Sequence, residues 1–342
     1  MQSPNRILVF QTAFLGDVVL TLPLVQVLHR EFPNARIDFL TTPKAATILQ
    51  NHPAINSVIE YDKRDRQRGL GGIFSISRIL KSRQYDVALV PHRSLRSAAV
   101  VALSGIPLRI GFDVSAGSFL FSKTVRYEKN LHEIERNLRF AETLGITIPK
   151  KELPSVYPSA EDMGAVDRFF LEMHLEPNAK LIAIAPGSVW NTKRWLTDRF
   201  SELVKKISSA GMKTVLVGGG DDEGLCKQIT AGSQGSDVYA AAGRFTLLQS
   251  AELLRRCDAL VSNDSAPMHL AVAVRTPVIA VFGATVPSFG FAPYGEKDVV
   301  VQTEGLACRP CSIHGGDKCP IGTFDCMVNI SAEMVFAKVV QL

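Results

Sequence analysis

The sequence predicts an α/β protein made of two consecutive Rossmann-like domains facing each other across a cleft. Three observations carry that expectation. Short apolar runs alternate with helix-like stretches along both halves of the chain, the pattern of parallel strands joined by crossover helices. A segment at 150–161, marked by Pro149, Pro154 and Pro158, separates the two alternating series. Glycines, hydroxyls and carboxylates follow directly after several of the apolar runs, at the sheet edge where open α/β folds bind ligands. The domains are expected at 1–155 and 156–342.

Taken in order, the first series opens with a strand at 6–11 and a helix at about 17–31. Pro23 falls inside that helix and should kink it or mark its real start. Strands follow at 37–41, 57–61 and 86–91, separated by helical segments near 45–50 and 73–81. Helices at 94–103 and 131–144 close the half. The second series has strands at 181–185 and 213–217, and helices at 197–210, 221–230 and 247–256, with Thr197 as a cap. Residues 258–261 read as a buried strand, 270–274 as a helix and 277–282 as another strand. Ser265 suits an N-cap and Pro267 the first turn. A last helix at 331–342 carries Met334, Val335, Val339 and Val340 and is expected to pack back onto one of the domains, the N-terminal one among them.

Composition supports a globular protein: 342 residues suffice for two ordinary cores, with 46% hydrophobic and 21% charged residues. Residues 1–6 are polar and lead straight into an apolar run, unlike a signal or transit peptide. Arg93, Arg96, His269 and Arg275 interrupt the best candidates for a bilayer span, so a cytoplasmic protein is expected. The formal charge of +5 is uneven: residues 1–155 hold 21 Lys+Arg against 13 Asp+Glu, and the remainder holds 17 against 20. A basic half fits a phosphorylated glycan, an anionic membrane surface or a nucleic acid, and equally a merely solvated surface. No aromatic-interleaved basic motif or nucleic-acid module is found, so no nucleic-acid partner is expected.

Four constellations carry chemistry. Gly16 and Asp17 lie just past the first strand, where a carboxylate can accept a proton from a bound hydroxyl or merely cap the helix. The run Pro186-Gly-Ser188-Val-Trp190-Asn-Thr-Lys193-Arg194-Trp195 joins a tight anion-facing turn to two cations and both tryptophans of the chain. Asp222 and Glu223 follow Gly218-Gly-Gly220, where an acid can bind ribose hydroxyls or favour a helix start. Ser262-Asn-Asp264-Ser265-Ala266-Pro-Met268-His269 sets a carboxylate beside helix N-terminal amides, which suits a ligand with both diphosphate and hydroxyls, a nucleotide sugar. The cysteines Cys308, Cys311, Cys319 and Cys326 fall in one loop, where they could hold a structural zinc or remain reduced thiols. No full G-x-G-x-x-G is present, which disfavours a nicotinamide dehydrogenase.

Together, Gly16-Asp17 to Pro23, Pro186 to Trp195 and Ser262 to His269 resemble the heptosyltransferases of glycosyltransferase family nine. Phe282-Gly-Ala-Thr285 and the cysteine loop ending Asp325-Cys-Met327 resemble the lipopolysaccharide heptosyltransferase II group most. The resemblance implies the GT-B architecture, with acceptor bound mainly by the first domain and nucleotide sugar mainly by the second. It implies ADP-heptose as donor, the lipid-linked, anionic inner core of lipopolysaccharide as acceptor, inversion at the anomeric centre, and work at the cytoplasmic face of the inner membrane. By that resemblance Asp17 is the general base, Lys193 lies near the donor phosphates, Asp264 contacts the donor sugar, and amides from Ser265 to His269 hold the diphosphate. No cofactor is required, and no D-x-D metal motif is seen. For the acceptor anion the candidates are Arg93 and Arg96, ahead of Lys63, Arg64, Arg66 and Arg68, whose alternation with Asp62 and Asp65 reads as a solvated loop. The competing expectations are a non-catalytic nucleotide-sugar sensor, and a sugar-nucleotide epimerase or hydrolase of the same fold.

Overall fold

The structure, a computed structural model, describes residues 3–176 and 179–342. The chain divides into two compact units, Met1–Tyr157 and Pro158–Leu342. In the first, β1 (Arg6–Phe10) leads into α1 (Leu15–Glu31), then β2 (Arg36–Thr41), the short α2 (Pro43–Ala46), β3 (Ser57–Glu60) and α3 (Gly69–Ser82). β4 (Val87–Val90), α4 (Leu95–Leu103), β5 (Leu108–Phe112), β6 (Lys123–Val125) and α5 (Glu133–Glu142) complete it. All pairings are parallel, in the order β3-β2-β1-β4-β5-β6. The chain winds outward from β1 through β2 and β3, then restarts at β4 on the other side. That reversal opens a crevice past the carboxyl ends of β1 and β4.

The second unit repeats the plan. It holds α6 (Ala160–Glu172), β7 (Leu181–Ala185), α7 (Thr197–Ser209), β8 (Lys213–Leu216), α8 (Glu223–Gly232) and β9 (Val238–Ala240). Next come α9 (Leu247–Arg255), β10 (Ala259–Asn263), α10 (Ala266–Ala273), β11 (Val278–Phe282), β12 (Val299–Gln302), α11 (Asp325–Val328) and α12 (Ala332–Val339). Its parallel sheet runs β12-β11-β10-β7-β8-β9, so the reversal lies between β7 and β10.

Strands β4, β7, β10 and β11 are buried along their whole length, as parallel strands covered on both faces must be. Their continuous apolar runs made them legible. The edge strands β6 and β9 are three residues long and half-exposed, and gave too little apolar signal to be expected. α6 was also missed: Ser159 caps it, accepting from the Asp162 amide at 3.1 Å, inside the proline-marked segment. α7 is entered through Leu196 rather than capped by Thr197, which is its first residue.

Helix α1 runs unbroken through Pro23 and is buried from Val18 to Val25. It packs on α5, whose Asn137 side chain donates to the Leu20 carbonyl at 3.1 Å. α12 buries Val335 and Val339 in the core of the second unit, against α7, β11 and β12.

Candidate active site

Each sheet reversal gathers polar side chains. In the first unit Asp17 sits in the opening turn of α1, where its Oδ2 accepts the Phe14 amide at 3.1 Å. The Thr21 hydroxyl donates to the Asp17 carbonyl at 2.7 Å and ties the carboxylate's turn to the buried helix body. Burial raises the Asp17 pKa to about 7, and repulsion from Glu133 adds to the rise. The Phe14 amide and the charge of Arg93 offset part of it. A carboxylate poised there can take a proton at neutral pH.

The surroundings of Asp17 are built by residues distant in sequence. Glu133 is buried and pairs with Arg136 at 2.8 Å. Arg136 also donates to the Glu128 carbonyl (2.8 Å), the Lys129 carbonyl (2.7 Å) and the Tyr127 hydroxyl (2.9 Å). The guanidinium of Arg93 lies 4.5 Å from the Tyr127 ring centroid, and that of Arg136 4.6 Å. Arg93 is thereby aimed beside Asp17. Across the same edge His92 Nδ1 is 3.0 Å from the Thr12 hydroxyl and 2.8 Å from that of Ser97. Burial, with Lys63 and Arg93 nearby, pushes His92 down to about 3 and keeps the ring neutral.

Arg96 does not present its charge as expected. Its guanidinium donates to the Lys63 carbonyl at 3.2 Å and to the Gly69 carbonyl, because the loop before α3 folds back onto α4. Lys63 is likewise engaged, donating to the Thr12 carbonyl at 2.7 Å, whereas Arg64, Arg66 and Arg68 stay exposed. The acceptor-anion candidate left by this geometry is Arg93.

In the second unit Asp264 follows β10 and is 7% exposed. Its Oδ2 lies 2.6 Å from Lys193 Nζ and accepts the Thr285 hydroxyl at 2.7 Å. Asn263, wholly buried, fastens the two loops of the reversal. Its amide donates to the Pro186 carbonyl at 2.7 Å, and its oxygen accepts the Trp195 amide at 3.0 Å. Trp195 is a core residue, its indole N–H bonded to the Ile330 carbonyl at 3.0 Å. Arg194 donates to the Ser188 carbonyl at 2.7 Å and shapes the turn after β7.

Helix α10 starts at Ala266, and Ser265 is its N-cap without a side-chain capping bond. Met268 corrects an expectation. Its side chain is fully buried and its amide donates to the Ser265 carbonyl at 3.1 Å, since the first turn tightens there. His269 is also buried, one residue deeper in the helix. The amides placed to meet an anion are therefore those of Ser265 and Ala266. Asp222 accepts the Gly219 amide at 2.9 Å, and a Cβ at Gly187 or Gly218 would run into its carboxyl group. Glu223 lies against Gly243, so both acids line the β7–β8 side of the reversal.

The cysteine loop brings its four thiols near one another: burial, then Cys311, Cys319 and Cys308, push the Cys326 thiol up to about 11, and Arg309 offsets part of the rise. Among the described residues no three His, Cys, Asp or Glu side chains converge to hold a metal. The Cys326 side chain is packed in the core, and Cys311 Sγ points to the Cys308 carbonyl at 3.6 Å. All four cysteines are free thiols. The loop braces the Asp264 cluster. Arg309 donates to the Thr285 carbonyl (2.8 Å) and the Thr303 carbonyl (2.5 Å), and the Cys311 amide to the Ala284 carbonyl (3.0 Å). The Gly316 amide donates to the Thr192 hydroxyl (2.8 Å), and the Thr192 amide returns to the Gly316 carbonyl (3.0 Å). Thr285 and Lys193 are thus both held from this loop. Sequence reasoning missed Thr285, Arg309, Tyr127, Glu133 and Arg136 as site-builders; only Thr285, within the Phe282–Thr285 motif, carried a signal.

Two Rossmann-like units of this plan make up the GT-B fold. The model of glycosyltransferase family 9 (heptosyltransferase) matches residues 73–316. Lipopolysaccharide heptosyltransferase 3 of Escherichia coli is 28% identical over 80% of this chain and 82% of its own. Lipopolysaccharide heptosyltransferase 2 of Escherichia coli K12 is 27% identical over 87% of this chain and 88% of its own. A solved family 9 glycosyltransferase from Veillonella parvula superposes with a TM-score of 0.89 at 24% identity, covering 98% of this chain and 96% of that one. The structure of Escherichia coli ADP-heptose LPS heptosyltransferase II gives 0.79 at 24% identity, covering 98% of both chains. The chain belongs to glycosyltransferase family 9 and is an enzyme of that family.

Proposed function

We propose that this enzyme moves heptose from ADP-heptose to the inner core of lipopolysaccharide with inversion, at the second-heptose step. The observation that carries the reading is Asp17, a carboxyl raised to about 7 at the crevice of the first unit. In its ionised form Asp17 removes the proton of an acceptor hydroxyl as that oxygen attacks the anomeric carbon. The bond from that carbon to the diphosphate oxygen breaks on the opposite face. Lys193 and the amides of Ser265 and Ala266 take up the charge that develops on the departing ADP. Both contacts of Asp264 described above fall on Oδ2, which leaves Oδ1 to accept a hydroxyl of the donor sugar. Asp222 and Glu223 suit the ribose hydroxyls, and Ser188 the turn beside the diphosphate. Arg93 suits a carboxylate or phosphate of the acceptor.

ADP-heptose is named for the Escherichia coli heptosyltransferase II whose structure this chain resembles, and lipopolysaccharide for the two curated relatives. The motif Phe282–Thr285 and the cysteine loop support the second-heptose step, and the transferase numbered 3, matched equally well, is the rival. Among the described residues no helix is long and apolar enough to cross a membrane. A lipid-linked acceptor would then be met by peripheral contact at the cytoplasmic face of the inner membrane.

A mass-spectrometric transfer assay tests the proposal, offering ADP-heptose with core acceptors truncated before each heptose. A heptose-sized mass gain on the acceptor that carries one heptose, lost in Asp17→Asn, is the expected result. A gain on a different acceptor would move the step, and no gain on any acceptor would overturn the reading.

A further inference from the structure

Helix α3 is apolar on two faces, and the fold uses only one. Ile76 and Leu80 are buried in the core of the first unit, and the buried Ser77 hydroxyl donates to the Val100 carbonyl of α4 at 3.0 Å. On the outer face Leu70 is 72% exposed and Phe74 is 57% exposed, one turn apart, with exposed Arg78 a further turn along the same row. Two neighbours extend this surface. Arg96 bonds the Gly69 carbonyl and so ties the start of α4, where exposed Leu95 stands, to the start of α3. Leu95 in turn abuts Gly117, two residues before Phe119, which is 78% exposed. The loop that enters α3 carries Arg64, Arg66 and Arg68, all exposed, with Arg66 3.4 Å from Asp62 and Asp65 as the exposed acid among them.

We propose that Leu70, Phe74, Leu95 and Phe119, together with Arg64, Arg66, Arg68 and Arg78, form the surface by which this enzyme sits on an anionic lipid bilayer. Large apolar side chains presented outward beside cations of one sign match the layered chemistry of a membrane interface. Rings and methyl groups enter the acyl boundary while guanidinium groups meet phosphate headgroups. The excess of Lys+Arg in residues 1–155, 21 against 13 Asp+Glu, is the matching long-range field. Arg96 couples this face to the loop that places Lys63 against Thr12, at the same sheet edge as Asp17. The assignment extends the proposed function, in which the acceptor is lipid-linked, and rests on it for the choice of a bilayer as occupant.

Co-sedimentation with vesicles of equal parts phosphatidylglycerol and phosphatidylcholine, and of phosphatidylcholine alone, tests the assignment. Wild type is expected to bind the anionic vesicles more tightly, and less so as salt is raised. The variant Leu70→Ser/Phe74→Ser should lose at least about tenfold in partitioning. Arg64→Gln/Arg66→Gln/Arg68→Gln should lose about fivefold per arginine. Turnover of a water-soluble, delipidated core acceptor should be unchanged in Leu70→Ser/Phe74→Ser. Absence of wild-type binding to anionic vesicles, or binding kept by both variants, would overturn the proposal. So would a wild-type dimer that Leu70→Ser/Phe74→Ser splits without any vesicle binding, which would assign the face to a second copy. Vesicle binding that follows these expectations while no acceptor is turned over would overturn the transfer reading and leave the surface standing.

Discussion

Asp17 and Asp264 both lie past a strand that borders a sheet reversal, Asp17 after the first strand of its unit and Asp264 after the fourth strand of the other, and their surroundings differ. Asp264 is gripped by Lys193 at 2.6 Å and by the Thr285 hydroxyl at 2.7 Å. Asp17 accepts the Phe14 amide at 3.1 Å, while burial and Glu133 raise it to about 7. Past its sheet reversal one unit therefore holds a carboxylate paired with a lysine, and the other a proton acceptor. Asp264 has a lysine in contact, whereas Asp17 is raised first by burial and then by Glu133, with Arg93 offsetting part of the rise.

Removing the proton acceptor should have the largest effect. Asp17→Asn should cut transfer by at least about a hundredfold, the lower range for a lost general base, with binding of ADP-heptose nearly intact. Calorimetry of donor binding beside a turnover assay checks both halves. Next comes the lysine-paired carboxylate. Lys193→Ala strips Asp264 of its cation and the donor diphosphate of its counter-charge, and should lower kcat/KM by about tenfold to a hundredfold. Unchanged kinetics would remove Lys193 from the phosphate role. A smaller effect is expected for Thr285→Val, which deletes one hydrogen bond to a charged group: about fivefold to tenfold in kcat/KM for the donor. Full activity there would mean that Lys193 alone suffices to hold Asp264.

The smallest expected effect is on stability. The folded pKa of Asp17 lies above its usual value of 3.8, so the protonated form stabilises the fold. That contribution is fully present below about pH 4 and is lost as pH rises through about 7. Asp17→Asn, fixed in the neutral form, should match wild type at low pH and unfold later by about 1–2 kcal/mol above pH 7. Melting curves at the two pH limits decide it, and equal stabilities at high pH would deny the raised pKa.

The frame of this comparison was legible in the sequence because central parallel strands are apolar end to end. Asp264 follows such a strand directly, and Asp17 and Lys193 lie in the segments that leave β1 and β7, so their placement came with the strand assignment. The charges that tune them were not legible. Glu133, Arg136 and Tyr127 reach Asp17 from a segment more than a hundred residues on, through packing of α5 on α1 that no local pattern encodes. The cysteine spacing left zinc and reduced thiols both open, and it carried no sign that Arg309 and Gly316 fasten this loop to Thr285 and Thr192. Met268 was misread because a helix N-terminus offers only the amides its first turn has not already used.

The pH dependence of kcat/KM for heptose transfer tests the central claim most directly. With Asp17 as the base, the profile should rise about tenfold per pH unit and level off near an apparent pKa of about 7. The residual activity of Asp17→Asn should lack that limb. A flat profile between about pH 5.5 and 8.5, or the same limb persisting in Asp17→Asn, would contradict the assignment of Asp17 as the proton acceptor.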